Sequence, residues 1–394
     1  MKALFITHFY PPEPAAAATR VASFVDALAK AGHDVTVVTN YPSFPRGRFS
    51  ERRLPLMRRQ RTGRTRTVRL FSLLVPGLPG SRLLHWLSAA LSASLYAVLT
   101  RDKYDLILIS SPPITLALPG MIAAWRHRAK LVVDVRDVFP DVAVAMGEWK
   151  KDDFIVRVVE RLVRVLYARA DLVVAVTPTA LSQIAARGVA QSRLVLARNA
   201  AERSPSVAPK NGHGNGFTAV YAGNLGLATD VDVLVDAAAL VASENITIEI
   251  VGDGAQRTHL GERLRTEGAQ NVVVRGSLPR GDAMECVARA DVSIVPLRKG
   301  IEDSIPTKLY DSLSVGCPVI VAAAGEASRE GVALGALCTP PGDAPALAQA
   351  LRQLAALDKG ALRELGESGK AAVAKRADRA CIMDEVVARL GALR

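Results

Sequence analysis

The sequence predicts an α/β protein built from two Rossmann-like, doubly wound domains that face each other across a cleft. Three observations support this fold class. Short runs of Val, Ile and Leu alternate with helical patterns, which is typical of a parallel sheet covered by helices. The alternation stops once, in a stretch rich in Pro, Gly and Ser, and then starts again. At 394 residues, 49% of them hydrophobic, the chain is too long for one core and apolar enough for two.

The first domain is expected over residues 1–200. Its strands are predicted where short apolar runs occur: Lys2–Thr7, Asp34–Thr39, Leu106–Ile109, Leu131–Val135, Leu172–Val176 and Leu194–Ala197. Helices are predicted between them, among them Thr19–Ala31 and Phe154–Ala168. The uncharged stretch Trp86–Thr100 is shorter than the ~20 residues of a membrane-spanning helix, so we expect it to be a buried helix.

Residues 201–216 are the predicted linker, because they combine Pro, Gly and Ser with no apolar period. The second domain, residues 217–375, repeats the first pattern. Its strands are predicted at Thr218–Ala222, Thr247–Val251, Val272–Arg275, Val292–Val295 and Val319–Ala322. Its helices are predicted near 230–243, 257–267, 280–289, 306–315 and 344–357. A C-terminal helix is expected within 376–394, and packing back on the first domain is one arrangement open to it.

Cysteine and histidine usage argues against metal or disulfide chemistry. The four cysteines include no Cys-x-x-Cys pair, and the six histidines are scattered along the chain. We therefore expect no metal, no cofactor and a reducing, cytoplasmic location.

The net charge of +12 is concentrated between Arg46 and Arg69, where ten arginines accompany one acid, Glu51. Nucleic acid is a poor partner for this segment, because the aromatic residues of a base-stacking surface are missing. An anionic membrane surface suits it better, since the apolar run Leu70–Val75 follows directly. A solvated loop is the alternative.

The segment Ile305–Val319 is the strongest functional signal, because a charged loop, a short helix and a buried strand follow one another. Ser304 is placed to cap this helix, and Lys308 adds a cation beside its positive N-terminus. Asp311 lies about one turn further on. A diphosphate and a ribose would both find partners here, so the segment predicts a nucleotide pocket.

Two glycine loops follow predicted strands of the second domain: Gly223-Asn224-Leu225-Gly226 and Gly252-Asp253-Gly254. Each lets the backbone approach a ligand closely, and each could equally be only a tight turn. Neither completes Gly-x-Gly-x-x-Gly, because residue 257 is Arg, so the dinucleotide fingerprint of an oxidoreductase is absent.

In the first domain, Asp134–Asp141 closes a strand with three carboxylates and Arg136. One interpretation is a capped turn in which Arg136 pairs with an acid. The other places Asp137 or Asp141 over the cleft, where a carboxylate can orient a hydroxyl or accept its proton.

Together these features resemble glycosyltransferase family 4, the retaining enzymes with the two-domain GT-B fold, and in particular its fucosamine-transferase-like branch of O-antigen and capsule assembly. The resemblance runs over nearly the whole chain. It is carried by Phe9–Glu13 with Pro12, Arg20, Gly32–Thr39, Asn40–Arg48, Arg136–Pro140, Tyr221–Gly226 and Pro306–Asp311.

The resemblance implies roles for individual residues. Asp303 and Asp311 stand where the family carries two glutamates, which implies that Asp303 contacts donor-sugar hydroxyls and Asp311 the ribose; Asp303 could equally cap the helix. The Arg and Lys that many family members carry after the first glycine loop are missing here, so Lys308 and the adjoining helix terminus, with Arg298 as a further candidate, are expected to hold the diphosphate. The expected catalytic residues are Lys308, Asp303 and Asp137. The expected donor-binding residues are Gly223, Asn224, Gly252, Asp253, Gly254, Arg275, Arg298, Thr307 and Asp311, and the expected acceptor-side residues are Pro12, Arg20, Arg136 and Asp141.

The expected reaction moves a sugar, with retained configuration and without a metal, from a nucleoside diphosphate that is expected to be UDP. The acceptor is expected to be a lipid-linked or polysaccharide precursor, which places the protein at the cytoplasmic face of the inner membrane, peripherally bound through Arg46–Arg69. Two other functions stay open: a non-hydrolysing UDP-sugar 2-epimerase and a non-catalytic nucleotide-sugar-binding protein.

Overall fold

The computed structural model describes residues 1–44, 47–49, 51, 54–78, 80–201 and 216–393. The chain divides into two compact units: unit 1 is Met1–Arg198 with Ala380–Arg394, and unit 2 is Asn199–Arg379. Each unit is built around one β-sheet, so the expected fold class of two parallel-sheet α/β domains is confirmed. The predicted linker, 201–216, lies outside the described residues except at its two ends.

Unit 1 contains an eight-stranded sheet with the order β3-β4-β2-β1-β5-β6-β7-β8. All neighbouring strands are parallel except β3 and β4. The strands are β1 (Lys2–Ile6), β2 (Asp34–Asn40), β3 (Met57–Thr62), β4 (Thr65–Leu70), β5 (Leu106–Ser111), β6 (Lys130–Val135), β7 (Leu172–Ala175) and β8 (Leu194–Leu196).

The hairpin β3–β4 was missing from the sequence prediction, which treated Arg46–Arg69 as a basic cluster or a solvated loop. Val68 and Leu70 of β4 are buried against the helices of unit 1, whereas every residue of β3 is exposed at the sheet edge. Arginines occupy many of the exposed positions of the hairpin, so the sequence does not show the alternation of apolar and polar residues that usually indicates a strand. Arg46, Arg52 and Arg53 lie outside the described residues.

The helices of unit 1 before the domain boundary are α1 (Ala16–Lys30), α2 (Ser81–Leu99), α3 (Ala117–His127), α4 (Asp141–Ala145), α5 (Phe154–Arg169) and α6 (Pro178–Ala186). Helices α2, α3, α5 and α6 contribute to the core on one face of the sheet. The opposite face packs against α1 and against Met383, Val386 and Leu390 of the last helix, Arg379–Gly391. The expectation that Trp86–Thr100 is a buried helix is wrong for half of its surface, because only the face of α2 toward the sheet and α3 is covered.

Unit 2 contains a six-stranded parallel sheet with the order β11-β10-β9-β12-β13-β14. The strands are β9 (Phe217–Ala222), β10 (Ile246–Val251), β11 (Val272–Gly276), β12 (Val292–Pro296), β13 (Val319–Ala322) and β14 (Leu337–Thr339). The helices are α7 (Val231–Leu240), α8 (Arg257–Glu267), α9 (Arg280–Arg289), α10 (Thr307–Ser314), α11 (Gly325–Ala333), α12 (Ala344–Ala355) and α13 (Lys359–Arg376), and the chain ends in α14 (Arg379–Gly391) of unit 1. The strand order reverses between β9 and β12, which marks the position where α/β sheets bind ligands.

Candidate functional site

The candidate site of unit 2 lies at the carboxyl edge of its sheet. Strands β9, β10 and β12 run parallel, so the loops that follow them emerge at the same edge. These loops contain Gly223–Gly226, Gly252–Gly254 and Arg298. The structure therefore brings both glycine loops and Arg298 to the carboxyl edge of the sheet, at or next to its switch point between β9 and β12.

The two glycine loops pack directly on each other. A Cβ on Gly252 would lie 1.9 Å from the carbonyl oxygen of Gly223, and one on Gly254 would lie 2.6 Å from that of Leu225. The loops also share a hydrogen bond, from Leu225 N–H to the Asp253 carbonyl at 3.0 Å. Glycine at 252 and 254 is thus required by backbone packing.

Lys308 lies against the first glycine loop at the start of α10. A Cβ on Gly223 would approach Lys308 Cε to 3.1 Å, so the glycine leaves room for the lysine. Lys308 Nζ donates a 2.7 Å hydrogen bond to Tyr221 Oη and lies 4.1 Å from the centre of that ring. Tyr221 Oη in turn donates to the Asn224 carbonyl at 2.6 Å. The buried tyrosine, which sequence reasoning missed, fixes the position of the cation.

Helix α10 begins at Thr307, with Pro306 at its N-cap position. The prediction that Ser304 caps this helix is wrong: in the part of the chain that the structure describes, no side chain caps it. An uncapped helix start keeps N–H groups available for an anion, and its dipole adds to the charge of Lys308. The arrangement can hold a phosphate group.

Arg298 is held at the same edge by a glutamine. Arg298 Nη2 donates to Gln256 Oε1 at 2.8 Å, and the Gln256 amide donates to the Thr229 carbonyl at 2.7 Å. Gln256 is buried and follows the second glycine loop, and its position there is the one sequence signal that could have revealed it. The contact makes Arg298 a fixed cation, as its predicted role requires.

The two predicted acids lie on either side of the start of α10. Asp311 lies one turn into the helix and pairs with Arg280 at 3.1 Å. Asp303 lies in the preceding loop, whose position is fixed by the neighbouring residue Glu302. The Glu302 carbonyl accepts a hydrogen bond from Glu326 N–H at 2.6 Å. A Cβ on Gly325 would lie 2.1 Å from the same carbonyl oxygen, so the two segments are in close contact.

Two other predicted donor-binding residues form ion pairs with nearby side chains. Arg275 pairs with the buried Glu249 of the neighbouring strand, so its guanidinium is committed to the sheet rather than to the glycine loops. Asp253 pairs with Arg257 at 2.9 Å, four residues along the chain.

In unit 1, Arg20 and Asp134 form a buried ion pair. Arg20 is 5% exposed and Asp134 1%, and the closest N–O distance is 2.7 Å. Arg20 also donates to the Arg198 carbonyl at 3.3 Å. The guanidinium that was expected on the acceptor side therefore faces the interior, where it supports the end of β6.

The other residues at the end of β6 have different partners. Arg136 donates to Ser110 Oγ at 3.0 Å and to the Pro112 carbonyl, and burial lowers its pKa. Asp137 follows at the carboxyl end of the strand. Asp141 lies in the first turn of α4 and pairs with Arg187 at 2.7 Å. Pro12 lies apart from them, exposed on an open groove of about 850 Å³ that is lined by Lys30, Arg58, Arg64 and Arg69 among others.

A pair of buried histidines, His8 and His85, was also missed by sequence reasoning. Their ring centroids are 4.7 Å apart at the carboxyl end of β1, and Asn40 Nδ2 lies 2.6 Å from His8 Nδ1. Burial lowers the pKa of His8 to about 3 and that of His85 to about 4. Both rings are therefore neutral at pH 7. The described residues contain no group of three or more His, Cys, Asp or Glu side chains able to hold a metal ion.

Comparisons with known families agree with this geometry. The model of a glycosyl transferase 4-like domain matches residues 15–200, and that of glycosyl transferases group 1 matches residues 216–356. Fold and site thus define a two-domain glycosyltransferase of the GT-B class. The chain belongs to the group 1 glycosyltransferases with a glycosyl transferase 4-like first domain, which confirms the resemblance seen in the sequence.

Two curated relatives are similar at low identity. The probable glycosyltransferase WbjE of Pseudomonas aeruginosa is 25% identical over 273 residues, 66% of this chain and 68% of its own. The putative colanic acid biosynthesis glycosyl transferase WcaI of Escherichia coli K12 is 26% identical over 386 residues, 91% of this chain and 93% of its own.

Solved structures support the fold. Sucrose-phosphate synthase from Thermosynechococcus elongatus matches with a TM-score of 0.74 at 18% identity, over 100% of both chains. Anabaena Alr3699/HepE in complex with UDP and glucose matches with a TM-score of 0.72 at 17% identity, over 99% of both chains.

Proposed function

We propose that this glycosyltransferase transfers a sugar from a UDP-linked donor, with retained configuration, to a lipid-linked or polysaccharide-precursor acceptor at the cytoplasmic face of the inner membrane. The observation that carries the proposal is Lys308, which is fixed between Gly223 and Tyr221 at the uncapped start of α10. The HepE complex with UDP and glucose supports the donor class, and the colanic acid biosynthesis relative WcaI supports a role in polysaccharide assembly.

The proposed role of this site is to stabilise charge on the leaving diphosphate. Lys308, the N-terminus of α10 and Arg298 supply positive charge at one sheet edge, and each such donor group typically contributes ~3 kcal/mol to a transition state that carries developing negative charge. Asp311 is proposed to bind the ribose, and Asp303 the hydroxyls of the donor sugar. In this reaction the departing phosphate accepts the proton of the acceptor hydroxyl.

The acceptor is proposed to bind unit 1, with Asp137 orienting its hydroxyl. The neutral His8 and His85 are buried in this region, and Arg136 near His8 supplies a cation. No metal or cofactor enters the proposed reaction.

The test is to incubate the protein with a panel of UDP-sugars, with and without undecaprenyl-diphosphate-linked monosaccharides, and to follow UDP release and product structure. Acceptor-dependent UDP release, and a product with the anomeric configuration of the donor by NMR, are expected. An inverted product would refute the retaining mechanism. A changed sugar without acceptor would indicate epimerisation, and binding without turnover would indicate a sensor; either result would overturn the proposal.

A further inference from the structure

We infer that the outer face of α2, together with the neighbouring strand β3 and helix α3, docks unit 1 on an anionic lipid surface. This inference deepens the proposed function, since it names how the enzyme would reach a lipid-linked acceptor. It also assigns the membrane contact mainly to α2, whereas the sequence analysis assigned it to the whole segment Arg46–Arg69.

The outer face of α2 is almost wholly aliphatic. Leu83, Leu87, Leu91 and Leu95 recur every four residues and are between 52% and 61% exposed. The exposed residues of α2 comprise these four leucines, Val98, Leu99 and a single charged side chain, Arg82. The outer face of a helix on a water-soluble protein is normally polar, so this surface is expected to have a partner.

The apolar surface continues beyond the helix. The segment before α2 runs alongside it, since Leu73 N–H donates to Ser88 Oγ at 2.9 Å and Ser92 Oγ donates to the Phe71 carbonyl at 2.7 Å. Leu73 is exposed there. On α3, which packs against α2, Trp125 is 80% exposed. Tryptophan in such a position is typical of the membrane–water interface.

The hairpin supplies the charge. Arg59 pairs in register with Val68, and Met57 with Leu70, so these β3 residues share the sheet face that packs toward α2. Arg61 follows in the same alternation, and all three β3 side chains are exposed.

The other described arginines of the hairpin are largely engaged. Arg58 pairs with Glu51 at 2.7 Å, and Arg64 pairs with Asp34 at 3.3 Å. Arg66 pairs with Asp102, and Arg69 donates to the Asn40 carbonyl at 2.8 Å. Arg61 itself donates from Nε to the Gly63 carbonyl at 3.2 Å. Because Arg59 and Arg61 lie on the sheet face toward α2, they are the described arginines of the hairpin best placed to meet phosphate headgroups beside the leucine stripe.

Lipid fits this face better than a protein partner does. A symmetric dimer through this face would bring the arginines of both copies into one interface, which adds unfavourable like charge there. Protein-binding hot spots are rich in Trp, Tyr and Arg and poor in Leu, whereas the centre of this surface is leucine. Helix α2 is long and apolar enough to cross a bilayer by length and composition, but its other face, including Ala89, Ala93 and Ala97, is buried in the core of unit 1. The geometry therefore points to a helix lying in the interface.

The experiment is cosedimentation of the full chain with vesicles of phosphatidylglycerol and phosphatidylethanolamine, without donor or acceptor. We expect binding that weakens as salt is raised and that is lost on phosphatidylcholine vesicles. The double variant Leu87→Gln/Leu91→Gln should partition about tenfold more weakly, or about 1.4 kcal/mol. The matched control Leu240→Gln/Leu365→Gln changes two similarly exposed leucines of unit 2 and should bind like the original protein.

Two further readouts locate the contact. Arg59→Gln/Arg61→Gln should remove most of the salt dependence, whereas Arg265→Gln/Arg363→Gln, two exposed arginines of unit 2, should not. Tryptophan emission should shift to shorter wavelength on vesicles, and Trp125→Phe should reduce that shift without abolishing binding. Unchanged thermal unfolding of each variant shows that the fold is kept.

Several results would overturn the inference: no vesicle binding, equal binding by the α2 variant and its control, or self-association in sedimentation velocity that the α2 variant removes. Vesicle binding without any sugar transfer would refute the proposed function and leave this inference intact. Sugar transfer without vesicle binding would refute this inference and the proposed membrane location, and would leave the proposed sugar-transfer reaction intact.

Discussion

Replacing Lys308 by alanine separates the chemical role of this lysine from its structural one. The variant removes the cation beside the start of α10, and the loss of one such group typically costs 10²–10³-fold in kcat, about 3 kcal/mol. Its structural contacts are one hydrogen bond to Tyr221 and one cation–π contact, each worth about 1 kcal/mol. Tyr221 Oη keeps its bond to the Asn224 carbonyl, so no buried donor is left unpaired. Activity should therefore fall much further than stability.

The assay is acceptor-dependent UDP release, measured beside thermal unfolding with and without UDP. Lys308→Ala should abolish most of the turnover and the stabilisation by UDP, while Tm falls by only a few degrees, since about 1 kcal/mol corresponds to about 2–4 °C for a domain of this size. Lys375→Ala, an exposed lysine of α13, is the matched control and should leave both unchanged. Normal turnover in Lys308→Ala, or a loss of stability as large as the loss of activity, would refute the reasoning.

Three further predictions concern the architecture around the sites. Gly252→Ala should destabilise unit 2 and weaken UDP binding, because its Cβ would lie 1.9 Å from a backbone oxygen; Gly261→Ala, with open space around it, should stabilise helix α8 by about 0.5–1 kcal/mol. Arg20→Met should cost about 3–5 kcal/mol of unfolding free energy, because it leaves Asp134 buried without its partner. Acidification from pH 7 to pH 5 should destabilise the protein by about 2 kcal/mol per buried histidine, and His85→Phe should remove part of that loss.

The sign of the pH effect follows from the direction of the shifts. Burial lowers the pKa of His85 from 6.5 to about 4, so the unfolded chain binds the proton more tightly than the folded one. Stability is complete above pH 6.5 and declines as the pH falls toward 4. Urea unfolding at pH 7 and pH 5 measures it, and equal acid sensitivity in His85→Phe and the original protein would contradict the assignment.

The predictions for Arg20→Met and Gly252→Ala have their own controls and contrary outcomes. Arg64→Met breaks an exposed pair with Asp34 and should cost less than about 1 kcal/mol, in contrast to Arg20→Met. If the two variants unfold at the same urea concentration, the buried pair does not support the end of β6. If Gly252→Ala keeps its UDP affinity and stability, the close packing of the second glycine loop on the backbone of the first is not required.

Much of the fold could be predicted because buried parallel strands have continuous runs of apolar residues in the sequence. Each predicted strand occurs within about two residues of its expected bounds, for example Asp34–Asn40 and Val319–Ala322. The hairpin β3–β4 could not be found in the same way, because β3 covers no core and carries arginines at most of its exposed positions. Nor could the exposure of α2 be found, since a buried and an exposed leucine look alike in the sequence.

The site was predictable where a residue type has one use and not where it has several. A lysine at the start of a helix favours anion binding, and glycines at strand ends let the backbone approach a ligand, so Lys308 and the two loops could be placed at one edge of the sheet from the sequence. Arg20 and Arg275 carry the same charge, yet the buried Asp134 and Glu249 commit them to ion pairs. Tyr221 gave no signal and Gln256 gave only its position after the second glycine loop, because their importance comes from contacts with residues 87 and 42 positions away.

The glycine loops also show why two interpretations of one motif need not exclude each other. Gly252 and Gly254 are required because their loop lies against the backbone of the first loop, so each is a structural glycine. That packing nevertheless fixes the loop on which Lys308 rests, beside Gly223. Tyr221 holds the lysine by a hydrogen bond that a phosphate oxygen could replace, because an ammonium group binds an anionic acceptor more strongly than a neutral hydroxyl. In the proposed reaction the tight turn holds the cation in place before the donor binds, and a preorganised cation loses less free energy on binding a diphosphate.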